Sequence, residues 1–149
     1  MSTQRSYLII GGAGAQGFPI VKGLISLQSA LTPYLTAIAL AADYSANVRV
    51  LTRNTTSANA QALSAIPNVE FHIGSSTSDI DLRTALKSMT HVFVNLNSFA
   101  LGQKAETYWG IRIFELAVES GVLRYIWSGL DSALRDSGYD ENLRCGHYE

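Results

Sequence analysis

Apolar residues recur along the chain in five short runs, with polar or helix-like segments between them. The runs are rich in Val, Ile, Phe and Tyr, and Gly, Asn, Pro or Ser bound them, which is typical of β-strands. The five predicted strands are YLII (Tyr7–Ile10), VRVL (Val48–Leu51), VEFHI (Val69–Ile73), HVFVNL (His91–Leu96) and RYIW (Arg124–Trp127).

The segments between the strands carry apolar residues at helical spacing. Four helix faces are predicted: Phe18, Val21, Leu24 and Ile25; Ala60, Leu63, Ala65 and Ile66; Leu82, Ala85, Leu86 and Met89; and Ile111, Phe114, Ala117 and Val118. Gly121 is the predicted C-terminal cap of the fourth helix. Ser57 or Asn59 is expected to cap the N-terminus of the second helix. Asp79 or Asp81 is expected to cap the third.

Five alternations of strand and helix predict an α/β protein with a parallel sheet and helices on both faces. Right-handed crossovers favour a Rossmann-like, doubly wound sheet of about five strands. The first crossover, Ser29–Asn47, is unusually long, and Pro33 breaks its helical pattern. No sixth strand is evident after Trp127, so the sheet is expected to stop early. Residues 1–149 are expected to form one domain.

Charge and composition narrow the class of protein. The formal net charge is −1, with 47% hydrophobic and 15% charged residues, which argues for a globular protein without direct nucleic-acid binding. The longest apolar-leaning run, Leu35–Ala42, is far shorter than the roughly 20 residues of a membrane-spanning helix. The single cysteine, Cys145, excludes an intramolecular disulfide and a multi-cysteine metal site. No secretory signal is evident, and we expect a cytoplasmic protein without a metal.

The glycines after the first strand are the strongest chemical signal. Gly11, Gly14 and Gly17 follow a predicted strand and open a predicted helix within the first βα unit. Such a turn lets the backbone approach a pyrophosphate without a Cβ in the way, and the N-terminus of the helix then holds the phosphates. The alternative is a strand-to-helix turn that binds nothing. The context favours phosphate binding.

The end of the second strand bears on which dinucleotide would bind. NAD sites usually place an acidic residue there for the ribose hydroxyls, whereas NADP sites prefer an arginine for the 2′-phosphate. The strand ends VRVLTRN, with Arg53 and Asn54 and no acid beside them. Arg53 is either a solvated strand-end arginine or the 2′-phosphate partner. The glycine loop, Gly11–Gly17, favours the second interpretation.

These motifs together resemble a known family. GGAGAQG, then LTRN and later WSGLDS are similar to the NmrA-like group of atypical short-chain dehydrogenases, and Glu106–Ser132 resembles its fungal branch. The resemblance covers nearly the whole chain from Tyr7 onward. It implies an NADP(H) cofactor with Arg53 at its 2′-phosphate. It also implies a pyrophosphate loop formed by Gly11, Ala13, Gly14, Ala15, Gln16 and Gly17.

Other positions match the family less completely. Asn97 matches an asparagine near the cofactor, with a surface-loop asparagine as the alternative. Gly74–Ser75 lacks the carboxylate that the family usually places after the third strand for the adenine. Ser128 stands where the fold often supplies a hydrogen-bonding serine, or is a plain turn serine. The ending GHYE (Gly146–Glu149) resembles the start of a catalytic His-Phe/Tyr-Asp-x-Lys stretch, without its lysine.

The resemblance implies the cofactor-binding part of an oxidoreductase, without the C-terminal substrate-binding part. We expect an NADP(H)-dependent reductase of a small carbonyl-type metabolite, with Ser128 as its candidate catalytic residue. The first alternative is a non-catalytic NADP(H) redox sensor that acts through a regulatory protein partner, in the cytoplasm or also in the nucleus. The second is a truncated, inactive fragment, whose exposed sheet edge favours a homodimer.

Overall fold

The computed structural model describes residues 5–25, 47–129 and 136–140. Its elements, in chain order, are β1 (Ser6–Ile10), α1 (Gly17–Ile25), β2 (Asn47–Thr52), α2 (Ala58–Ser64), β3 (Val69–Ile73), α3 (Asp79–Leu86), β4 (His91–Val94), α4 (Ser98–Leu101), α5 (Gln103–Glu119) and β5 (Arg124–Trp127). Most of the long first crossover, including Pro33, lies outside the described residues, as do Cys145 and the terminal GHYE. None of the helices in the described ranges is both long enough and apolar enough to cross a bilayer.

The five strands form one parallel sheet in the order β3-β2-β1-β4-β5. The chain therefore winds outward from β1 in one direction, crosses back over the sheet, and winds outward in the other. This arrangement is the predicted Rossmann-like, doubly wound α/β fold. All five predicted strands are present, and β4 ends at Val94 rather than at Leu96 because the chain turns into α4 there.

The central strand is buried on both faces of the sheet. Leu8 and Ile10 of β1 belong to a cluster with residues of α3 and α5, whereas Tyr7 and Ile9 belong to a cluster with residues of α1 and α2. Side chains alternate across a strand, so one apolar run supplies both cores. The sheet is thus a middle layer between two helical layers.

The N-terminus of α3 is capped by a residue that the sequence analysis did not select. Ser78 is the cap, and its hydroxyl accepts a hydrogen bond from the N–H of Asp81 at 3.4 Å. The predicted caps were wrong because both carboxylates are engaged elsewhere. Asp79 accepts from the Arg112 guanidinium at 3.1 Å, which lowers the pKa of Asp79, and Asp81 accepts from the N–H of Ser75 at 2.8 Å. At α2 the predicted Ser57 is the cap.

The predicted buried face of α5 was also wrong, apart from Ala117. Ile111, Phe114 and Val118 are 58%, 51% and 60% exposed. The stripe that packs on the sheet consists of Ile113, Leu116 and Ala117.

The rotation of α5 agrees with its contacts to α3. The helix carries two apolar stripes, so helical spacing alone does not select the one that is buried. Two ion pairs join α5 to α3, between Arg112 and Asp79 and between Arg83 and Glu119. Both pairs are formed with Ile113, Leu116 and Ala117 facing the sheet. At the end of α5 the C-cap is Ser120, and Gly121, which was predicted as the cap, directly follows it with a φ of 75°.

Substitutions in the two stripes of α5 should differ in cost. Leu116→Ala is expected to lower the free energy of unfolding by about 2–5 kcal/mol, because it leaves a cavity in the core. Phe114→Ala should cost less, since its ring is half exposed and makes one edge contact with Tyr125. Urea denaturation of both variants checks this. Equal losses would contradict the observed rotation of the helix.

His91 makes the stability of the fold sensitive to pH. Burial, followed by the charges of Arg5 and Arg124, lowers the pKa of His91 below its ordinary value of 6.5. The unfolded chain therefore takes up a proton before the folded chain does. We expect the contribution of His91 to the free energy of unfolding to be fully present above about pH 6.5. That contribution should be lost as the pH falls through the folded-state pKa of His91. Denaturation at a series of pH values should show a shallower decline for His91→Gln than for wild type. Parallel declines of wild type and variant would show that His91 is not the cause of the pH dependence.

Candidate dinucleotide-binding site

The turn after β1 brings α1 unusually close to the strand. Gly11 adopts a φ of 80°, and its carbonyl oxygen accepts a hydrogen bond from the N–H of Gly14 at 2.9 Å. A Cβ on Gly17 would overlap the backbone of Gly11 and Gly12. The glycines therefore permit a close contact between the first residue of α1 and the turn, as the sequence analysis expected of this motif.

The same turn leaves backbone donors free at the start of α1. The N–H of Gly14 is used within the turn, and that of Phe18 donates to the carbonyl of Gly14 at 3.0 Å. Within the described residues, the N–H groups of Ala15, Gln16 and Gly17 have no acceptor. Free N–H groups together with the positive end of a helix dipole form an anion-binding site.

A cleft of about 150 Å³ opens above the C-terminal edge of the sheet. It lies where the winding direction reverses between β1 and β4, which is where open α/β sheets bind their ligands. Its lining comes from the ends of four strands and the loops that follow them: Ile10, Gly11, Ala13, Gly14, Leu51, Thr52, Arg53, Gly74, Ser76, Asn95 and Asn97.

The structure brings together five of the predicted cofactor residues, since Gly11, Ala13, Gly14, Arg53 and Asn97 all line the cleft. The others occupy different places. Gly17 is buried beneath the turn, Ala15 is exposed, and Gln16 points to the end of β5.

Arg53 is presented by a loop that is stiffened by its own side chains. Asn54 accepts two hydrogen bonds from Thr56, from its N–H and its hydroxyl, each at 2.7 Å, and the N–H of Asn54 donates to the Thr52 hydroxyl. Arg53 is exposed, and none of the ion pairs among the described residues involves it. A cation at the cleft that is not neutralised by a neighbour is available to an anionic ligand.

The loop after β3 carries no carboxylate at Ser75, and Asp81 does not replace it. The side chain of Asp81 lies behind Gly74, where a Cβ on that glycine would come within 2.9 Å of it. Its carboxylate accepts from the N–H of Ser75. Asp81 thus holds the loop in place, while Gly74 and Ser76 form the surface of the cleft.

Two asparagines follow β4 at the cleft. The predicted Asn97 also caps the short helix α4, with its side-chain oxygen accepting from the N–H of Ala100 at 3.3 Å. Asn95 was missed, because the predicted strand ran through it to Leu96. Its carbonyl oxygen would lie 2.5 Å from a Cβ on Gly11, so the glycine turn packs directly against it. Asn95 could have been found from the sequence, because it is the first polar residue after the buried apolar run of β4, and ligands bind at the carboxyl ends of such strands.

Ser128 lies outside the lining of the cleft but contacts the glycine loop. Its hydroxyl donates to the side-chain oxygen of Gln16 at 2.9 Å, across 112 residues of sequence. Both residues were predicted site residues, but nothing in the sequence indicated that they are in contact. Within the described part of the chain, no group of three or more His, Cys, Asp or Glu side chains could hold a metal ion.

These features suit a dinucleotide. Free N–H groups at the start of α1 fit a pyrophosphate, and the unpaired Arg53 fits a further anionic group beside it. No catalytic base is evident among the described residues that line the cleft. The free N–H groups and the unpaired cation together can hold an anionic ligand at this edge of the sheet.

Solved structures share this fold. NmrA, described as a negative transcriptional regulator, in complex with NADP aligns with 20% identity and a TM-score of 0.66, over 93% of this chain and 36% of that chain. Its complex with NAD gives a TM-score of 0.67 at the same identity and coverage. NADPH-dependent quinone oxidoreductase QOR2 from Escherichia coli, complexed with NADPH, aligns with 20% identity and a TM-score of 0.59, over 83% of this chain and 36% of that chain.

The chain thus spans about a third of the length of these structures. No curated protein matches the sequence. The model of the NmrA-like family matches residues 3–145. The described fold agrees with that match, and the chain belongs to the NmrA-like family.

Proposed function

We propose that the chain binds NADP(H) in the cleft between β1 and β4 and contributes to the reduction of a small carbonyl-type metabolite. The observation that carries this proposal is the position of Arg53. It lines the same cleft as the glycine turn, where a 2′-phosphate would lie beside a pyrophosphate held at α1. A dinucleotide as such is supported by the family and by the NADP and NAD complexes of NmrA.

The strand order suggests how the ligand would lie. The adenine would face the loops after β2 and β3, near Gly74 and Ser76. The pyrophosphate would accept hydrogen bonds from the N–H groups at the start of α1. The nicotinamide would then extend toward β4 and β5, where Asn97 and Ser128 lie. Each part of the cofactor would thus meet a different loop of the same sheet edge.

Bound NADPH supplies a hydride to the carbonyl carbon of a substrate. The contribution of this chain would be a hydrogen bond from the Ser128 hydroxyl, released from Gln16, to the carbonyl oxygen, which becomes more basic as the hydride arrives and takes its proton from solvent. QOR2, which is described as NADPH-dependent and as a quinone oxidoreductase, shares the fold. We also place the protein in the cytoplasm, in keeping with its single cysteine.

One observation favours a second candidate, an NADP(H) sensor that acts through a protein partner. The hydroxyl of Ser128 already donates to Gln16 of the glycine loop, so the end of β5 is coupled to the loop expected to contact the cofactor. Such a link would transmit cofactor binding without turnover. NmrA, with the same fold, is described as a transcriptional regulator.

Arg53→Ala should separate NADP from NAD recognition. We expect the variant to bind NADPH about 10- to 100-fold more weakly, because a charge-assisted contact contributes about 1.5–3 kcal/mol. Affinity for NADH should change little, since NADH lacks the 2′-phosphate. Calorimetric titration of both nucleotides measures this. Arg83→Ala, an exposed arginine paired with Glu119, is the matched control. Equal losses for both nucleotides would contradict the assignment.

Ser128→Ala should separate the enzyme from the sensor. If the chain is a reductase, oxidation of NADPH with a panel of quinones and small aldehydes should be measurable, and the variant should lower kcat/KM by about tenfold. Its affinity for NADPH should stay within about twofold. Tight binding of NADPH without turnover would contradict the reductase. A partner captured only by the NADPH-bound form would then support the sensor.

A further inference from the structure

A side chain from α2 reaches the glycine loop. The side-chain amide of Asn59 donates to the carbonyl oxygen of Ala13 at 3.0 Å, across 46 residues of sequence. Asn59 is partly buried and is the second residue of α2, beside the capping Ser57. Because Ser57 caps the helix, the side chain of Asn59 is not needed as the cap, and its amide hydrogen-bonds to the glycine loop instead.

This contact completes the hydrogen bonding of one peptide group. The peptide between Ala13 and Gly14 donates its N–H to the carbonyl of Gly11 and accepts at its oxygen from Asn59. Both polar ends of the peptide are therefore held, and its orientation is set. Without Asn59, only the N–H end would be restrained.

The orientation of this peptide matters to an anion in the cleft. Ala13 lines the cleft, and the free N–H groups of Ala15, Gln16 and Gly17 follow directly. A rotation of the peptide would turn the Ala13 carbonyl oxygen toward the cleft, where its partial negative charge would repel a phosphate. Asn59 holds that oxygen toward α2, away from such a position.

We propose that Asn59 is a positioning residue for a pyrophosphate-bearing ligand, acting through the carbonyl of Ala13. The inference rests on the proposed dinucleotide binding and adds a determinant from a second helix. The same segment of chain connects Arg53 to Asn59, through a loop held by Asn54 and Thr56. The loop for the 2′-phosphate and the loop for the pyrophosphate are thereby linked.

The test compares two probes that differ in the pyrophosphate. 2′-Phospho-ADP-ribose carries a 2′-phosphate and a pyrophosphate, whereas 2′-AMP carries only the 2′-phosphate. Asn59→Ala and Asn59→Leu, two neutral variants without the amide donor, should bind the first probe about three- to tenfold more weakly, as expected for one hydrogen bond. Binding of 2′-AMP, followed by NMR titration, should stay within about twofold. Gln61→Ala, an exposed amide on the same helix, is the matched control and should leave both affinities unchanged.

Amide hydrogen exchange of the ligand-free chain gives a second readout. In both Asn59 variants the Gly14 N–H should exchange about three- to tenfold faster, because its peptide is held at one end only. The Gln61→Ala variant should exchange like wild type.

The outcomes separate this inference from the proposed function. Unchanged affinity for 2′-phospho-ADP-ribose, or equal losses for both probes, would overturn the role of Asn59 while leaving dinucleotide binding intact. If wild type binds neither probe, the proposed function fails and the role of Asn59 toward a ligand fails with it, and Gly14 exchange then tests only whether Asn59 holds the peptide of the loop. Faster exchange in the Asn59 variants supports the positioning of the loop, and unchanged exchange overturns it.

Discussion

The Cα of Gly17 lies so close to the backbone of Gly11 and Gly12 that no Cβ fits between them. This contact sets where α1 begins, directly against the end of β1. Because the helix begins there, three consecutive N–H groups are left without acceptors within the described residues. The cleft, the orientation of its donors and the packing of α1 on the sheet all depend on that close approach.

The strand order places this turn at the centre of the sheet edge. With β2 on one side of β1 and β4 on the other, the loops after all three strands converge on one cleft. Their residues are far apart in sequence, and the parallel sheet brings them together. The site therefore needs both helical layers, because the two cores hold β1 in the middle of the sheet.

Short-range hydrogen bonds stiffen the loops of the site one by one. Asn54 and Thr56 hold the loop of Arg53, and Asp81 holds the loop after β3. Two long-range side-chain contacts, Asn59 with Ala13 and Gln16 with Ser128, connect the glycine loop to its surroundings. Rigid loops joined by a few contacts keep the donors in place before any ligand arrives, which reduces the entropy lost on binding.

The five strands, the doubly wound fold and the glycine turn could be predicted from the sequence, because burial on both faces and the need for glycine leave strong local patterns. The strand pattern also predicted that Arg53 follows β2, and in the structure this residue lines the cleft. Which stripe of α5 is buried could not be predicted, because it depends on how the helix packs against the sheet and α3. Both stripes have helical spacing, and the choice agrees with ion pairs to α3. The contacts of Asn59 and Gln16 were likewise settled by tertiary structure, since a polar side chain leaves no sequence pattern that names its partner.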